Sequence, residues 1–505
     1  MPKALISVTD KTGVVDLART LTINGYEVLS TGGTGRLLQE NDIPAVEIAQ
    51  FTGSPEMLSG RVKTLHPRVF GGILGRPDLD EAEFRIHALE PISIVVVNLY
   101  EFAKKIRDAD TTRAQAIEDI DIGGVTLIRA AAKNHEHVLV VVDPSDYADV
   151  KKRIAETQID ASFRESMAAK AFRHTAAYDA EIARYLSTDE KFPERLTLTY
   201  ERDAVMRYGE NPHQAAAYYR DPAGLGAMNQ LQGKAMSYNN IADTDAALQC
   251  VYGLTEPACA IVKHANPCGL AIGSSLHDAY AKAFRTDPTS AFGGVIAFNR
   301  ELDGPTLERV LDNQFAEVIV APSVDSEVSA VAERKKTLRL LTVSNNQVQG
   351  AGLTVHSVGN GALIQDIDVA DLSDGEWSVL TERVPSSEEE RDLRFAWHVV
   401  KHVKSNAIVF VRDRTTVGIG AGQPNRVVSV RIAAMRMQEE GLGQSGCVMA
   451  SDAFFPFRDG VDRAAEAGVT AIIQPAGSIR DDEVVAACNE HGMAMVATGI
   501  RHFRH

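Results

Sequence analysis

Ala260-Ile261-Val262-Lys263-His264-Ala265-Asn266-Pro267-Cys268-Gly269 reads as an apolar strand that ends on two ionisable side chains and then turns. A short apolar run bounded by turn residues is the pattern of a buried strand. The pattern returns at Ala407-Ile408-Val409-Phe410, followed by the glycine-rich Gly418–Gly422. Around each run the elements recur in one order. The first copy continues with a helix over Leu276–Phe284, a strand at Val295–Phe298, a helix over Pro305–Leu311 and a strand at Val318–Val320. The second continues with a helix over Val428–Met437, a strand at Cys447–Ala450, a helix over Gly460–Ala467 and a strand at Ala471–Ile473. Matching order and spacing mark an internal repeat. A polar stretch around Ser344–Asp374 separates the copies, and Ser387 with Glu390 gives a capping-box signal for the helix that opens the second.

The N-terminal part is also α/β. Ala4–Val8 is a short apolar strand, and Val14, Leu17, Ala18 and Leu21 share one face of a helix that Gly25 stops. Further strands are expected at Tyr26–Ser30, Ile92–Leu99 and Val138–Val142, and helices over Arg36–Glu40, Pro144–Glu156 and Ala161–Leu186. Strands alternating with helices imply a parallel sheet covered by helices. The chain has 505 residues, a length for about three domain-sized units. A charged stretch at Lys191–Arg195 places the main boundary, giving 1–195 and 196–505, the latter split near 385/386.

The formal net charge is −16, which disfavours nucleic acid or an anionic membrane as partner. The five cysteines form no CxxC pair, arguing against a disulfide framework or a structural zinc site. The opening MPKALISV has no signal-peptide architecture, and no apolar run reaches the ~18 residues of a membrane span. The expectation is a cytoplasmic protein.

Several segments carry chemistry. Ser30-Thr31-Gly32-Gly33-Thr34-Gly35 lies between a strand and a helix, where free amides and hydroxyls make an anion site; a tight turn that binds nothing is an equal reading. Thr9 and Lys11 follow the first strand and open on the same sheet edge, where ligands of such folds bind. Arg61, Lys63 and Thr64 form a cationic loop. Gly123 and Gly124, after Asp121, leave amides free at another helix start, and Arg129 and Lys133 share that helix's face. In the C-terminal part, Lys263-His264 puts a cation and a base at a strand end. RYGENPHQ, from Arg207 and Tyr208, suits a phosphorylated ligand. The aromatic clusters Ser290–Gly294 and Ser451–Asp459 fit either a core or a flat heterocycle.

SVTDKTG, STGGTG, GRVKTLHP, VVNLY and DIGGVTLIRAAAKN, then RYGENPHQ, IVKHANPCG, SAFGG, SNAIVF, IGAGQPNR, SDAFFPFRD and RHFRH, resemble in order the bifunctional purine-biosynthesis enzymes, phosphoribosylaminoimidazolecarboxamide formyltransferase / IMP cyclohydrolase. The resemblance implies a methylglyoxal-synthase-like domain followed by two cytidine-deaminase-like subdomains. It implies formyl transfer from 10-formyltetrahydrofolate to the 5-amine of aminoimidazole carboxamide ribonucleotide (AICAR), then closure of the formamido product (FAICAR) to IMP. By the same resemblance Lys63, Tyr100, Asp121 and Lys133 serve cyclisation, and Lys11, Arg61 and the Ser30–Thr34 turn hold its nucleotide. Lys263, His264 and Asn406 serve transfer. Arg207, Tyr208, Gly293, Glu317, Arg426 and Arg501 bind AICAR, while Phe292, Phe454, Asp459, Ser478 and Ile479 face the folate. A homodimer is implied. The zinc-deaminase signature H-x-E with P-C-x-x-C is absent, so no catalytic metal is expected. Two positions depart from the family pattern: Phe70 stands where a histidine is common, and Glu101 where proline follows Tyr100. They leave open a formyltransferase with an impaired cyclohydrolase domain. A different class, a small-molecule sensor domain fused to a transferase, is disfavoured by Lys63, Asp121 and Lys133 occurring together.

Overall fold

Ala4, Leu5 and Ile6 sit on the central strand of a five-stranded parallel sheet, in the order β3-β2-β1-β4-β5. The strands are β1 (Lys3–Ser7), β2 (Glu27–Ser30), β3 (Ala45–Glu47), β4 (Ile92–Val97) and β5 (Leu139–Val141). Leu5 pairs with Leu29 on one side and Val95 on the other. Both faces are covered, so these strands are apolar throughout rather than alternating. Leu127, Ile128 and Ala171 pack on one face with Leu5 and Val95, and Val14, Leu17, Leu21 and Tyr147 on the other with Ala4 and Ile6. The chain runs outward from β1 to β3 and returns to β4 beside β1. This reversal opens a crevice at the carboxyl ends of β1 and β4.

The computed structural model describes residues 1–187, 190–221, 228–343, 352–372, 377–443 and 446–505. It divides into two units, Met1–Tyr200 and Glu201–His505. Much of the polar stretch expected between the repeats, 344–351 and 373–376, lies outside the described residues. The part between them is a hairpin.

The strands of the second unit are β6 (Glu201–Met206), β7 (Ala216–Arg220), β8 (Asn229–Gln232), β9 (Ala258–Lys263), β10 (Asn266–Ile272), β11 (Gly294–Phe298), β12 (Ala316–Ala321), β13 (Arg339–Thr342), β14 (Leu353–Val358), β15 (Gly361–Asp366), β16 (Ser378–Val379), β17 (Ile408–Arg412), β18 (Thr415–Gly420), β19 (Cys447–Ser451), β20 (Val469–Gln474) and β21 (Ala494–Ala497). Among the described residues twelve form one mixed sheet, β16-β21-β20-β19-β17-β18-β10-β9-β11-β12-β13-β8. Its two halves mirror each other in pairing. The hairpin β9–β10 leads to β11, β12 and β13, as β17–β18 leads to β19, β20 and β21. They join where β10 meets β18, at Ala271 and Thr415. Helices Tyr238–Val251 and Ser387–Val400 cover one face with a continuous core that includes Ala247, Val262, Trp397 and Val409. The opposite face carries two separate cores, around Tyr280 and Leu307 and around Phe410 and Met449.

Three local expectations need correction. The glycine-rich stretches after Val262 and after Phe410 are not turns but strands β10 and β18, so each repeat opens on a hairpin. Their glycines serve close helix packing: a Cβ at Gly269 would lie 2.0 Å from Ala283 O, and one at Gly418 2.3 Å from Ala433 O. Helix Gly32–Glu40 begins at Gly32, not Arg36, so the glycines form its first turn. Tertiary position overrides their poor helix propensity. The capping box of helix Ser387–Val400 is Ser386 with Glu389, one residue earlier than Ser387 with Glu390. The run SSEEE permits either register. Glu389 also pairs with Arg383 at 2.8 Å and accepts from Thr470 at 2.6 Å, and these long-range partners select the earlier one.

Candidate functional site

A cavity of about 820 Å³ opens at the β1/β4 crevice of the first unit. Its wall is built from strand ends and helix starts: Ser7 at the end of β1 with Val8 and Thr9 after it, Asn98 and Tyr100 after β4, and Thr31, Gly33 and Thr34 at the start of helix Gly32–Glu40. Lys11, Arg61, Lys63, Thr64, Asp121, Gly123 and Gly124 also line it, with Glu56 and Glu118 among the others. The first amides of a helix have no partner within it, so two helix N-termini offer donors here.

Several of these side chains are held by neighbours. Lys11 Nζ donates to Val8 O and, at 2.9 Å, to Thr34 Oγ1, and burial lowers its pKa. Lys63 Nζ pairs with Glu56 at 2.7 Å. It also stands so close to Gly32 that a Cβ there would lie 2.8 Å from it, and Gly32 has φ 40°. Only glycine allows this approach at this backbone angle. Arg61 forms a two-pronged pair with Glu118, Nε to Oε1 at 3.1 Å. Asp121 Oδ1 accepts from the Gly124 amide at 2.7 Å, so that amide is already used. Burial raises the Asp121 carboxyl pKa, partly countered by this bond. Burial, then the Asp121 and Asp119 charges, raise the Tyr100 phenol.

Not every candidate reaches the cavity. Ser30 is buried and donates to Ile6 O at 2.8 Å, which fixes the strand end. Lys133 is exposed in the last turn of helix Gly123–Lys133 and does not line the cavity. Ten residues at ~1.5 Å rise put its backbone about 15 Å from Gly123. Phe70 packs on the sheet core rather than lining the cavity, and Glu101 is exposed beside Lys104. Asn98 was not a sequence candidate. Its Oδ1 accepts from the Thr9 and Asp10 amides and its Nδ2 donates to Asp10 O, tying the loop after β1 to the end of β4. Its place right after an apolar strand was the available signal.

In the second unit Lys263 ends β9, and its Nζ donates to Phe292 O at 2.8 Å. His264 is exposed in the β9–β10 turn. Asp243, also missed from sequence, accepts from the His264 and Ala265 amides. Asn266 Oδ1 accepts from the Lys404 amide at 3.0 Å and so joins this turn to the segment that carries Asn406. Asn406 is fully engaged. Its Nδ2 donates to Gln423 O and Pro424 O at 2.8 and 3.2 Å, and its Oδ1 accepts from Arg426 at 2.8 Å. Arg426 is itself buried, bonding Ser451 Oγ at 2.7 Å and Asp452. Its guanidinium braces Asn406 in this structure rather than facing solvent.

Phe454, Asp459, Ser478 and Ile479 follow the carboxyl ends of β19 and β20, and Ile479 is fully exposed. Arg501 lies over the Phe503 ring at 4.4 Å. Phe292 is 60% exposed, its ring 5.8 Å from that of Phe315, whose carbonyl accepts from the Gly293 amide at 2.8 Å. Arg207 and Tyr208 line a different cavity, about 540 Å³, with Arg220, Lys234 and Arg339. Glu317 pairs with Arg339 at 2.7 Å. Lys263 and His264 are not among that cavity's lining residues. Among the described residues no cluster of three or more His, Cys, Asp or Glu could hold a metal ion, and no helix is long and apolar enough to cross a membrane.

Residues 13–126 match the MGS-like domain family, and residues 131–436 match the family described as AICARFT/IMPCHase bienzyme. A solved structure titled "Crystal structure of ForH" is 36% identical, covering 37% of this chain and 97% of that chain, with a TM-score of 0.34. With its MGS-like parallel sheet and a family match over more than half its length, the chain belongs to the AICARFT/IMPCHase bienzymes, which join formyl transfer and IMP cyclisation in purine biosynthesis.

Proposed function

We propose that the β1/β4 cavity closes FAICAR to IMP and that the Lys263-His264 turn transfers the formyl group from 10-formyltetrahydrofolate to AICAR. The observation that carries the first assignment is the convergence of Lys11, Lys63, Tyr100 and Asp121 on one cavity at the sheet's switch point. In ring closure the carboxamide nitrogen attacks the formamide carbon, an alkoxide develops, and water leaves. Lys63 and the Gly123 amide supply positive potential to that oxygen. Asp121, whose raised pKa moves it toward neutrality, and Tyr100 exchange the protons. Lys11 and the first turn of helix Gly32–Glu40 hold the phosphate.

In formyl transfer the AICAR amine attacks the formyl carbon and His264 takes the amine proton. Lys263 stabilises the oxyanion, and the folate nitrogen leaves protonated. Asn406 orients the reacting groups, and the exposed Phe292, Phe454 and Ile479 offer apolar surface to the folate ring. Arg207 and Tyr208 bind the AICAR phosphate. Their separation into another cavity supports a homodimer in which a second copy completes the site. The compartment is the cytoplasm.

The test supplies purified protein with 10-formyltetrahydrofolate and AICAR and follows tetrahydrofolate and IMP separately. Both are expected; tetrahydrofolate without IMP would remove the cyclisation assignment. A variant locates the first site. At Gly124 a Cβ would meet Asp121 Oδ2 at 2.4 Å and Leu99 Cδ2 at 2.9 Å. Gly124→Ala therefore displaces the Asp121 carboxylate and is expected to slow cyclisation of supplied FAICAR about 10- to 100-fold, the scale of small misplacements of a reacting group. Formyl transfer should be unchanged. Full cyclisation by this variant would dismiss Asp121 as a participant.

A further inference from the structure

The β9–β10 hairpin turns through only His264 and Ala265, because Lys263 pairs with Asn266. Both turn residues have positive φ, 55° and 56°. A two-residue turn of this kind is usually Asn-Gly, since L side chains resist the left-handed region. Here neither residue is Gly or Asn, and strained backbone of this sort collects at functional sites. The strain is offset from helix Tyr238–Val251, where the Asp243 carboxylate accepts from the His264 amide at 3.3 Å and the Ala265 amide at 2.7 Å.

The second half of the sheet repeats the device. Arg412 pairs with Thr415, and Asp413 and Arg414 turn with φ 51° and 49°. Asp392, from helix Ser387–Val400, accepts from both amides at 2.9 and 2.7 Å. The clasp is therefore part of the architecture. What differs is the cargo. The first turn presents His264 next to Lys263, whereas the Arg414 of the second pairs with Glu256.

We propose that Asp243 is a positioning residue for formyl transfer. Its carboxylate clasps the left-handed His264-Ala265 turn and so sets where the His264 imidazole stands. This rests on the reading of His264 as the base. Among the described residues Asp243 bonds only the two backbone amides, so it acts through the turn, and Asp392 is a control built into the same chain.

The experiment compares Asp243→Asn, Asp392→Asn and His264→Ala in the full-length protein, with steady-state formyl transfer and denaturant unfolding measured for each. Asparagine leaves one acceptor and sets an N–H against the other amide. D243N is expected to lower kcat about 10- to 100-fold with little change in the KM for AICAR. D392N should lose comparable stability and keep its kcat. Adding Ala265→Gly to D243N should restore most of the lost kcat, because glycine takes positive φ without strain. If D243N does not fold, Ala265→Val carries the test. It retains Asp243, resists the turn with a β-branched side chain and is expected to lower kcat likewise. Wild-type kcat in D243N or A265V beside an inactive H264A overturns the positioning role and leaves the base standing. Equal loss of kcat in D243N and D392N reduces the clasp to stability alone and also overturns it. An active H264A overturns the base and the proposal together.

Discussion

His264→Ala is expected to lower formyl transfer by about 10²- to 10⁴-fold, the usual contribution of a positioned general base. Cyclisation of supplied FAICAR should continue at the wild-type rate. The AICAR amine is conjugated with its ring and is a poor nucleophile, so the proton must leave as the bond to the formyl carbon forms. His264 is exposed in a turn braced by backbone bonds, and no core contact depends on its ring. The variant should therefore fold normally. Lys263 remains, held by Phe292 O, so oxyanion stabilisation persists and residual transfer above the uncatalysed rate is expected. Loss of both activities in a folded H264A would reject two separate sites. Retention of transfer would move the base elsewhere.

The second large effect concerns stability. The Asp452 side chain is wholly buried and Arg426 is 7% exposed. Two charges in such surroundings depend on each other, and removing one leaves the other unpaired at a cost of about 3–5 kcal/mol. Asp452→Asn keeps the shape but removes the charge. It also weakens the acceptor for Ser405 Oγ, which donates to Asp452 at 2.5 Å. Denaturant unfolding of the second unit should shift by that amount. Formyl transfer should fall too, because Arg426 holds Asn406 Oδ1. A loss of about 1 kcal/mol or less, the scale of exposed pairs, would show that the pair does not carry this burden.

These two sites also mark how far local pattern reaches. Lys11, Lys63 and Gly124 were legible because strand ends and glycine-rich helix starts are short-range features, and the sheet's reversal gathers them. Lys133 was grouped with the cyclisation residues by resemblance, and from periodicity only its sharing a helix face with Arg129 was legible. Periodicity gives the face of a helix but not which end points at the ligand. Arg426 was a nucleotide-binding candidate by resemblance alone; in the structure it begins helix Arg426–Glu439 and its partner Asp452 lies 26 positions away. No local rule pairs residues so distant. Half of the twelve-stranded sheet was legible, since each repeat shows three apolar strands in the same order, β9, β11 and β12 and then β17, β19 and β20; the hairpin partners β10 and β18, where the halves join, lie in glycine-rich stretches that read as turns. The clasping carboxylates were not legible, because Asp243 and Asp392 are ordinary helix residues until the hairpin folds against them.

The carboxylates around the first cavity have one more consequence. On its wall Arg61 is paired directly with Glu118, and Lys63 with Glu56. A cation already matched to a carboxylate offers little to a stray anion, which must separate the pair before gaining anything. At these two side chains a free phosphate therefore meets ion pairs rather than open charge. A nucleotide also brings a base and a ribose, whose additional contacts offset the cost of separating the pairs. On the reading of this cavity as the cyclisation site, the ion pairs at Arg61 and Lys63 favour the whole nucleotide over small competing ions.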